Sequence, residues 1–171
     1  TVTTRIVSQT NDNLWSKAGL MVRQSTAAGA INFACLMTPA QNVRVQYRTA
    51  LNGATTDPSA TSGGTAPYWL RITRSGNTLS AWRSPDGIAW TQVGTSQTVT
   101  MADPVLVGFA MTSHNTGILG TAVFDNLSLD ANAAPQVNPG SAPAATTGVA
   151  SALAGSASDD GQPSGSALVS T

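Results

Sequence analysis

Apolar and polar residues alternate in short runs through residues 1–130, and turn residues separate the runs. Such runs at a spacing of about 8–12 residues are typical of β-sandwiches and β-barrels. No window has the 3.6-residue period of an amphipathic helix. A segment rich in Gly, Thr and Ser, residues 52–66, is predicted to be a loop. The predicted strands are TVTTRIVSQ, KAGLMVRQ, AINFACLMT, NVRVQYRTA, PYWLRITRS, NTLSAWRS, IAWTQVG, TVTM, PVLVGFAMTS and ILGTAVFDNLSLD.

Two turn signals lie inside residues 73–90, TRSGNTLSAWRSPDGIAW. SGN at 75–77 joins one strand to the next, and SPDG at 84–87 fits a type I turn with Pro at its second position and Gly at its fourth. This segment is therefore predicted to be a three-stranded meander.

The composition changes at about residue 131. Residues 131–171 contain no aromatic residue and no Lys or Arg, and are rich in Ala, Gly, Ser and Pro. Such a segment is too poor in large apolar groups to bury a core by itself. We therefore expect a β-sandwich over residues 1–130, followed over residues 131–171 by a linker and an incomplete or strand-donating tail.

Charge and composition exclude several classes of partner. Charged residues make up 9% of the chain and the formal net charge is zero, whereas about 25% is usual for soluble proteins. The sequence thus offers no overall basic character for nucleic acid, and no apolar run approaches the ~18 residues of a membrane span. Glu is absent and Lys17 is the only lysine, a composition that favours strands and suits an extracellular or cell-surface location.

From Trp15 to Leu129 the sequence resembles a bacterial domain family of the concanavalin A-like lectin/glucanase superfamily, labelled "regulation of enolase protein 1"-like. The resemblance lies in WSKAGLMVRQS, VQYRT, APYWLRITRSGNTLSAWRSPDGIAWTQVG, TVTMADPVLVGFAMTSHNTG and TAVFDNLSL. It implies an all-β, jelly-roll-type antiparallel β-sandwich with an extended C-terminal strand-forming tail.

The resemblance is incomplete at both ends. Members of that family usually carry an earlier strand region before TVTTRIVSQ, and the tail from APQVNPG onward resembles the opening strands of an Ig-like bacterial surface domain. Three explanations stay open. The chain is a slice of a larger multi-domain protein, its tail completes a sheet of a neighbouring copy, or it is an isolated soluble lectin, and the first two can both hold.

The residues do not support catalysis. Glucanases of this superfamily use paired glutamates, which a chain without Glu cannot supply. Asp86, Asp103 and Asp125 do not form a recognisable dyad. One His and one Cys exclude a zinc site of these ligands, and Cys35 is expected to be a buried, inert thiol. We expect no enzyme.

Two sets of residues are candidates for binding. Trp82 and Arg83 could present a stacking face and a donor to a sugar, and Ser113, His114 and Asn115 gather at a strand end. Scaffold roles for Trp82 and His114 are the competing interpretation.

Acidic turns are the candidates for a metal. Asp12 in NDN, and Asp159 and Asp160 in SDDG, could supply oxygen ligands to calcium, although each segment is also typical of an ordinary turn. No other cofactor is expected.

Two functions follow as hypotheses. One is a structural module of a surface or filament-forming protein, which pairs with copies of itself or with sister domains through sheet edges, by addition of the tail as an extra strand. The alternative is a carbohydrate-binding, adhesive module of a larger secreted protein.

Overall fold

The computed structural model describes residues 1–40, 42–131, 136–138, 140 and 156–158, with the backbone alone for residues 59–62. Within these residues the secondary structure consists of β-strands and turns, with no α-helix. The all-β prediction is therefore confirmed. No helix long and apolar enough to cross a membrane occurs in this part of the chain.

Thirteen strands follow one another within the described residues. They are β1 Val2–Gln9, β2 Lys17–Arg23, β3 Asn32–Met37, β4 Asn42–Arg48, β5 Thr56–Ser62, β6 Tyr68–Ser75, β7 Thr78–Ser84, β8 Thr91–Gln92, β9 Gln97–Thr98, β10 Leu106–Thr112, β11 Ala122–Leu129, β12 Gln136–Asn138 and β13 Ser156–Ser158.

Two antiparallel sheets form the sandwich. The six-stranded sheet has the order β11-β1-β6-β7-β8, with β9 also paired to β7, and the five-stranded sheet has the order β10-β2-β3-β4-β5. This arrangement agrees with the predicted jelly-roll-type sandwich. The consecutive neighbours β6, β7 and β8 form the predicted meander, although its third strand, Thr91–Gln92, begins just after the predicted segment 73–90.

The core lies between the two sheets, where alternate residues of each strand point inward. Cross-strand neighbours such as Leu20 and Cys35, or Ile72 and Ala81, share this inner face. The largest fully buried side chains are Phe33, Ile6, Leu20, Met37, Leu70, Ile72, Leu79, Val43, Val45, Val93 and Val99.

A strand occupies part of the segment predicted as the 52–66 loop, and that prediction is wrong for Thr56–Ser62. β5 pairs with β4 as the edge of the five-stranded sheet. Its sequence, TDPSATS, has no large apolar residue and contains Pro58. Proline is tolerated in edge strands because one of their sides has no ladder to complete, so the strand lacks the usual sequence signal.

Both sheets end at the same side of the sandwich, where β10 and β11 are the edge strands. The rings of Phe109 in β10 and Phe124 in β11 stack across the two sheets. At the opposite side of the sandwich, the contact between the sheets is polar. Arg83 of β7 donates hydrogen bonds to the carbonyl of Gly63, just after β5, and to the Tyr68 hydroxyl.

The chain divides into the units Thr1–Leu129 and Asp130–Thr171. In the second unit, β12 and β13 pair antiparallel, with Val137 opposite Ala157. The rest of the tail that we predict to form strands lies outside the described residues.

Candidate functional site

The predicted ligand residues Trp82 and Arg83 lie in β7, but they do not share a face of the sheet. Trp82 is paired with Arg71 on the outer face, and its indole N–H donates to the Thr73 hydroxyl over 3.1 Å. Arg83 is paired with the fully buried Leu70, so its side chain leaves from the core-facing side. Neighbours in a strand point to opposite faces, and the pair therefore cannot form one sugar platform.

Arginines cover the other tryptophans on this outer face. The Arg71 guanidinium lies 3.8 Å from the centroid of the Trp90 ring, and that of Arg5 lies 5.9 Å from the centroid of Trp69. Gly87 packs so closely on Trp69 that a Cβ atom there would come within 2.8 Å of the ring. These contacts indicate that Trp69 and Trp90 hold the sheet and its turns together.

The loop after β10 brings two predicted groups of residues together. The Asn115 amide donates to the carbonyl of Asp12 over 3.4 Å, and Ser16 Oγ donates to the carbonyl of Ser113 over 2.7 Å. His114 is exposed, in the left-handed region with φ +53°. Trp82 and Arg83 belong to the other sheet, so the five predicted ligand residues lie in separate places.

Asp12 has a partner of its own, since its carboxylate accepts a hydrogen bond from the Thr10 hydroxyl. No group of three or more His, Cys or Asp side chains that could hold a metal ion occurs among the described residues. Asp159 and Asp160, the other predicted calcium ligands, lie outside them.

Cys35 is fully buried in the core, and burial raises the pKa of its thiol to about 12. A thiol with so high a pKa is almost entirely protonated near neutral pH, and the thiolate is the nucleophilic form. The structure thus supports the inert role expected for this residue.

The edge formed by β10 and β11 is a feature that the sequence did not single out. Val107, Phe109 and Met111 pair with the buried Val22, Leu20 and Ala18, and so belong to the inner face of the five-stranded sheet. Yet 38%, 47% and 39% of their respective surfaces are exposed.

On β11, Val123, Leu127 and Leu129 are exposed as well, and so are Ile118 and Leu119 in the connecting loop. A surface depression of about 450 Å³ runs over both faces of β10. We call the apolar surface of β10, β11 and this loop the open edge.

Trp15, at the other candidate surface, is the one tryptophan exposed to half of its surface. It lies by the outer face of the five-stranded sheet, where β2 and β4 carry cations an even number of residues apart: Lys17 and Arg23 on β2, Arg44 and Arg48 on β4. An even spacing places residues on the same face of a strand, and it was the signal that could have identified this surface from the sequence.

Comparison with known proteins supports the fold. No family model matches the chain, and no curated protein sequence matches it. A crystal structure of a functionally unknown protein from Saccharomyces cerevisiae matches 78% of this chain and 69% of its own, with 23% identity and a TM-score of 0.60.

A mutant of the GH43 protein BlXynB from Bacillus licheniformis matches 72% of this chain with 14% identity and a TM-score of 0.58. The match covers 25% of that protein's chain. Identities this low show a shared all-β fold. The resemblance to the bacterial domain family is thus supported for the fold, and no family model supports the family itself.

Proposed function

We propose that this chain is a non-catalytic structural module of an extracellular surface or filament protein, and that it assembles by adding a strand at the open edge. The observation that carries the proposal is the exposure of Val107, Phe109 and Met111 on a face whose other strands are buried. The apolar side chains at these positions are removed from solvent only when a further segment covers them.

The backbone of an edge strand supports the same conclusion. Edge strands present a row of N–H and C=O groups that can pair with another chain, and natural proteins usually protect such edges with lysine, proline or a bulge. β10, with the sequence LVGFAMT, contains neither lysine nor proline and pairs with β2 without a register shift. Contiguous exposed apolar surface of this kind is typical of an interaction site.

The C-terminal tail of a neighbouring copy is the segment we propose for this position. Residues 146–155, TTGVASALAG, alternate so that Val149, Ser151 and Leu153 fall on one side of an extended chain. Small neighbours let such a strand lie in a shallow groove, and main-chain hydrogen bonds would supply much of the affinity. A head-to-tail contact of this kind does not close on itself and builds fibres.

Light scattering coupled to size-exclusion chromatography, over a range of concentrations, tests this proposal on the full chain. The wild type should form species heavier than the 17.3 kDa monomer, and their mass should grow with concentration. Val107→Lys places a charge at the open edge and should abolish this growth. Ile88→Lys, at an exposed apolar residue in the turn after β7, is the matched control and should assemble like the wild type.

A tail variant separates the two parts of the proposal. Val149→Lys combined with Leu153→Lys should also remain monomeric if the tail is the added strand. Assembly that survives in this variant but not in Val107→Lys would show that open edges pair with each other directly. A wild type that stays monomeric at every concentration would show the proposal to be wrong.

A further inference from the structure

Half of the cationic side chains of the protein lie on one face of one sheet. The chain has eight Lys and Arg residues in all, and Lys17, Arg23, Arg44 and Arg48 belong to the five-stranded sheet. Arg23 and Arg48 are both cross-strand neighbours of Asn32, and Arg44 is a neighbour of Leu36, which pairs with Gly19. These positions alternate with the core-facing residues of the same strands, so all four side chains leave from the outer face, where Lys17 is itself buried.

Few negative charges balance this face. Asp57 is the one acidic residue in the sequences of the five strands. Its carboxylate accepts hydrogen bonds of 2.9 Å from Arg44 Nε and from the Gln46 amide. Arg44 is paired with Asp57 and Lys17 is buried, so Arg23 and Arg48 supply the accessible positive charge of this face, and such a surface attracts anions.

A depression lies at one end of this charged face. It has a volume of about 190 Å³ and is lined by Arg23, Asn32, Gln46, Arg48 and their neighbours. Strand spacing places Arg23 and Arg48 about 10 Å apart across the sheet.

The two arginines of this depression are held in place by the surrounding loops. Arg23 donates to the carbonyl of Ala27 over 2.6 Å, and Arg48 donates to the carbonyl of Ala28 over 3.0 Å and to the Thr55 hydroxyl over 3.1 Å. The Nε atoms of both are buried and have no hydrogen-bond partner among the described residues. An unpaired buried donor on a charged group is costly, and an anion in the depression would offset that cost.

Trp15 lies toward the other end of the charged face, beside Arg44. Its ring lies near two cations, with the Arg44 guanidinium 5.2 Å and Lys17 Nζ 5.9 Å from the centroid. Its backbone is fixed, because its N–H donates to Asn13 Oδ1 over 2.8 Å and its carbonyl accepts a hydrogen bond from Lys17 over 3.0 Å. Half of the side chain remains exposed, which leaves an apolar surface for a ring-shaped ligand.

We propose that this face binds an acidic polysaccharide, with its carboxylate or sulfate groups at Arg23 and Arg48 and a sugar ring on Trp15. Charge complementarity selects an anion. Arg44, next to Trp15, and Arg48 are four residues apart on β4, which is about 13 Å, and a chain can reach both ends of this face whereas a small ion cannot. The amides of Asn32 and Gln46, beside the exposed ring of Trp15, suit hydroxyl groups and the apolar face of a sugar. This site lies on the outer face of the sheet, and the proposal therefore goes beyond assembly at the open edge.

Titration calorimetry with two matched oligosaccharides tests the proposal. Oligogalacturonate and its fully methyl-esterified form share one backbone and differ in charge, and a sulfated oligosaccharide extends the test to a second acidic group. The full chain should bind at least one acidic probe, with affinity that falls as salt is added, and should bind the ester about tenfold more weakly.

Variants then locate the site. Arg23→Gln and Arg48→Gln should each weaken binding of the acidic probe about tenfold, and Trp15→Ala should weaken it as well. Arg74→Gln removes a cation from the six-stranded sheet and should bind like the wild type. Melting temperatures near that of the wild type establish that each variant is folded, and Arg48→Lys, which keeps the charge, should retain part of the affinity.

Several results would overturn the proposal. These are equal binding of the acid and the ester, no binding of any acidic oligosaccharide, or folded Arg23→Gln and Arg48→Gln variants that bind normally. Tighter binding of oligothymidylate or polyglutamate than of the acidic sugars would assign the face to a different polyanion. Because each measurement concerns ligand affinity, its failure is distinguishable from a failure of assembly.

Discussion

The rings of Phe109 and Phe124 stack with their centroids 4.2 Å apart and their planes inclined by 14°. Phe109 belongs to β10, an edge strand of the five-stranded sheet, and Phe124 belongs to β11, an edge strand of the six-stranded sheet. The stack therefore fixes the two free edges side by side. A strand added at β10 would lie next to β11 as well, so the open edge is one surface and not two.

Aromatic coupling across this edge should be measurable by a double-mutant cycle with Phe109→Leu and Phe124→Leu. Stacked aromatic pairs contribute about 0.5–1.5 kcal/mol beyond the area that they bury. We expect a coupling energy in this range from urea unfolding of the single and double variants. Tyr47→Leu with Phe109→Leu is the control, because β4 and β10 are separated by two strands and their effects should add. Equal coupling in both cycles would contradict the prediction.

Glycines in the two turns of residues 73–90 should differ in their tolerance of a side chain. Gly76 and Gly87 both have positive φ, +57° and +77°, but a Cβ on Gly76 would meet no atom within 4 Å, whereas one on Gly87 would lie 2.8 Å from Trp69. Gly76→Ala should therefore cost about 1–2 kcal/mol of unfolding free energy for its backbone alone. Gly87→Ala should cost about 1–3 kcal/mol more, because the ring must shift.

Chemical denaturation of the two variants measures the difference. A loss in Gly87→Ala no larger than in Gly76→Ala would show that Trp69 moves aside freely and does not hold this turn.

The sequence predicted the strands whose alternation reflects a buried face, and the meander whose turns need glycine and proline. It did not predict β5, since an edge strand can be held by backbone pairing and by the Arg44–Asp57 ion pair without apolar alternation. It also overestimated β8 and β9, which have two residues each. In IAWTQVG, the apolar side chains of Trp90 and Val93 pack on other elements of the sandwich. They therefore do not indicate a long hydrogen-bonded strand.

The surfaces proposed for function were harder to predict than the fold. The sequence pattern identifies Phe109 and Phe124 as strand residues, but only the sheet order shows that both strands are edges. Likewise, Arg23 and Arg48 are 25 positions apart in the sequence, and the register through Asn32 makes them neighbours. Trp82 and Arg83 have the chemistry of a sugar site, but strand parity alone places them on opposite faces of the sheet.

Cys35 should be unreactive toward thiol reagents in the folded protein. Its side chain is buried, and a pKa of about 12 leaves almost no thiolate at pH 8. We expect Ellman's reagent to modify it only as fast as the chain unfolds, and completely in urea. Rapid modification of the native protein would show that the core between β3 and β7 opens readily.

Acid should destabilise the turn after β7 through Asp86. Its carboxylate accepts hydrogen bonds from the backbone N–H groups of Ile88 and Ala89 and from the Ser84 hydroxyl, and these bonds lower its pKa below the ordinary value of 3.8. A carboxyl group whose pKa is lower in the folded state stabilises the fold above its unfolded pKa, and that contribution is lost as the pH falls through the folded value.

Asp86→Asn keeps an acceptor oxygen but does not titrate, so it isolates this effect. The difference in unfolding free energy between wild type and Asp86→Asn should be constant from pH 7 to about pH 5 and should shrink below about pH 4. Urea unfolding at a series of pH values measures it. Asp125→Asn is the comparison variant. It should show the same pH dependence, because the hydrogen bond from Arg5 lowers the pKa of Asp125 as well. A difference for Asp86 that does not change between pH 5 and pH 2 would show that its pKa is the same in the folded and unfolded chains.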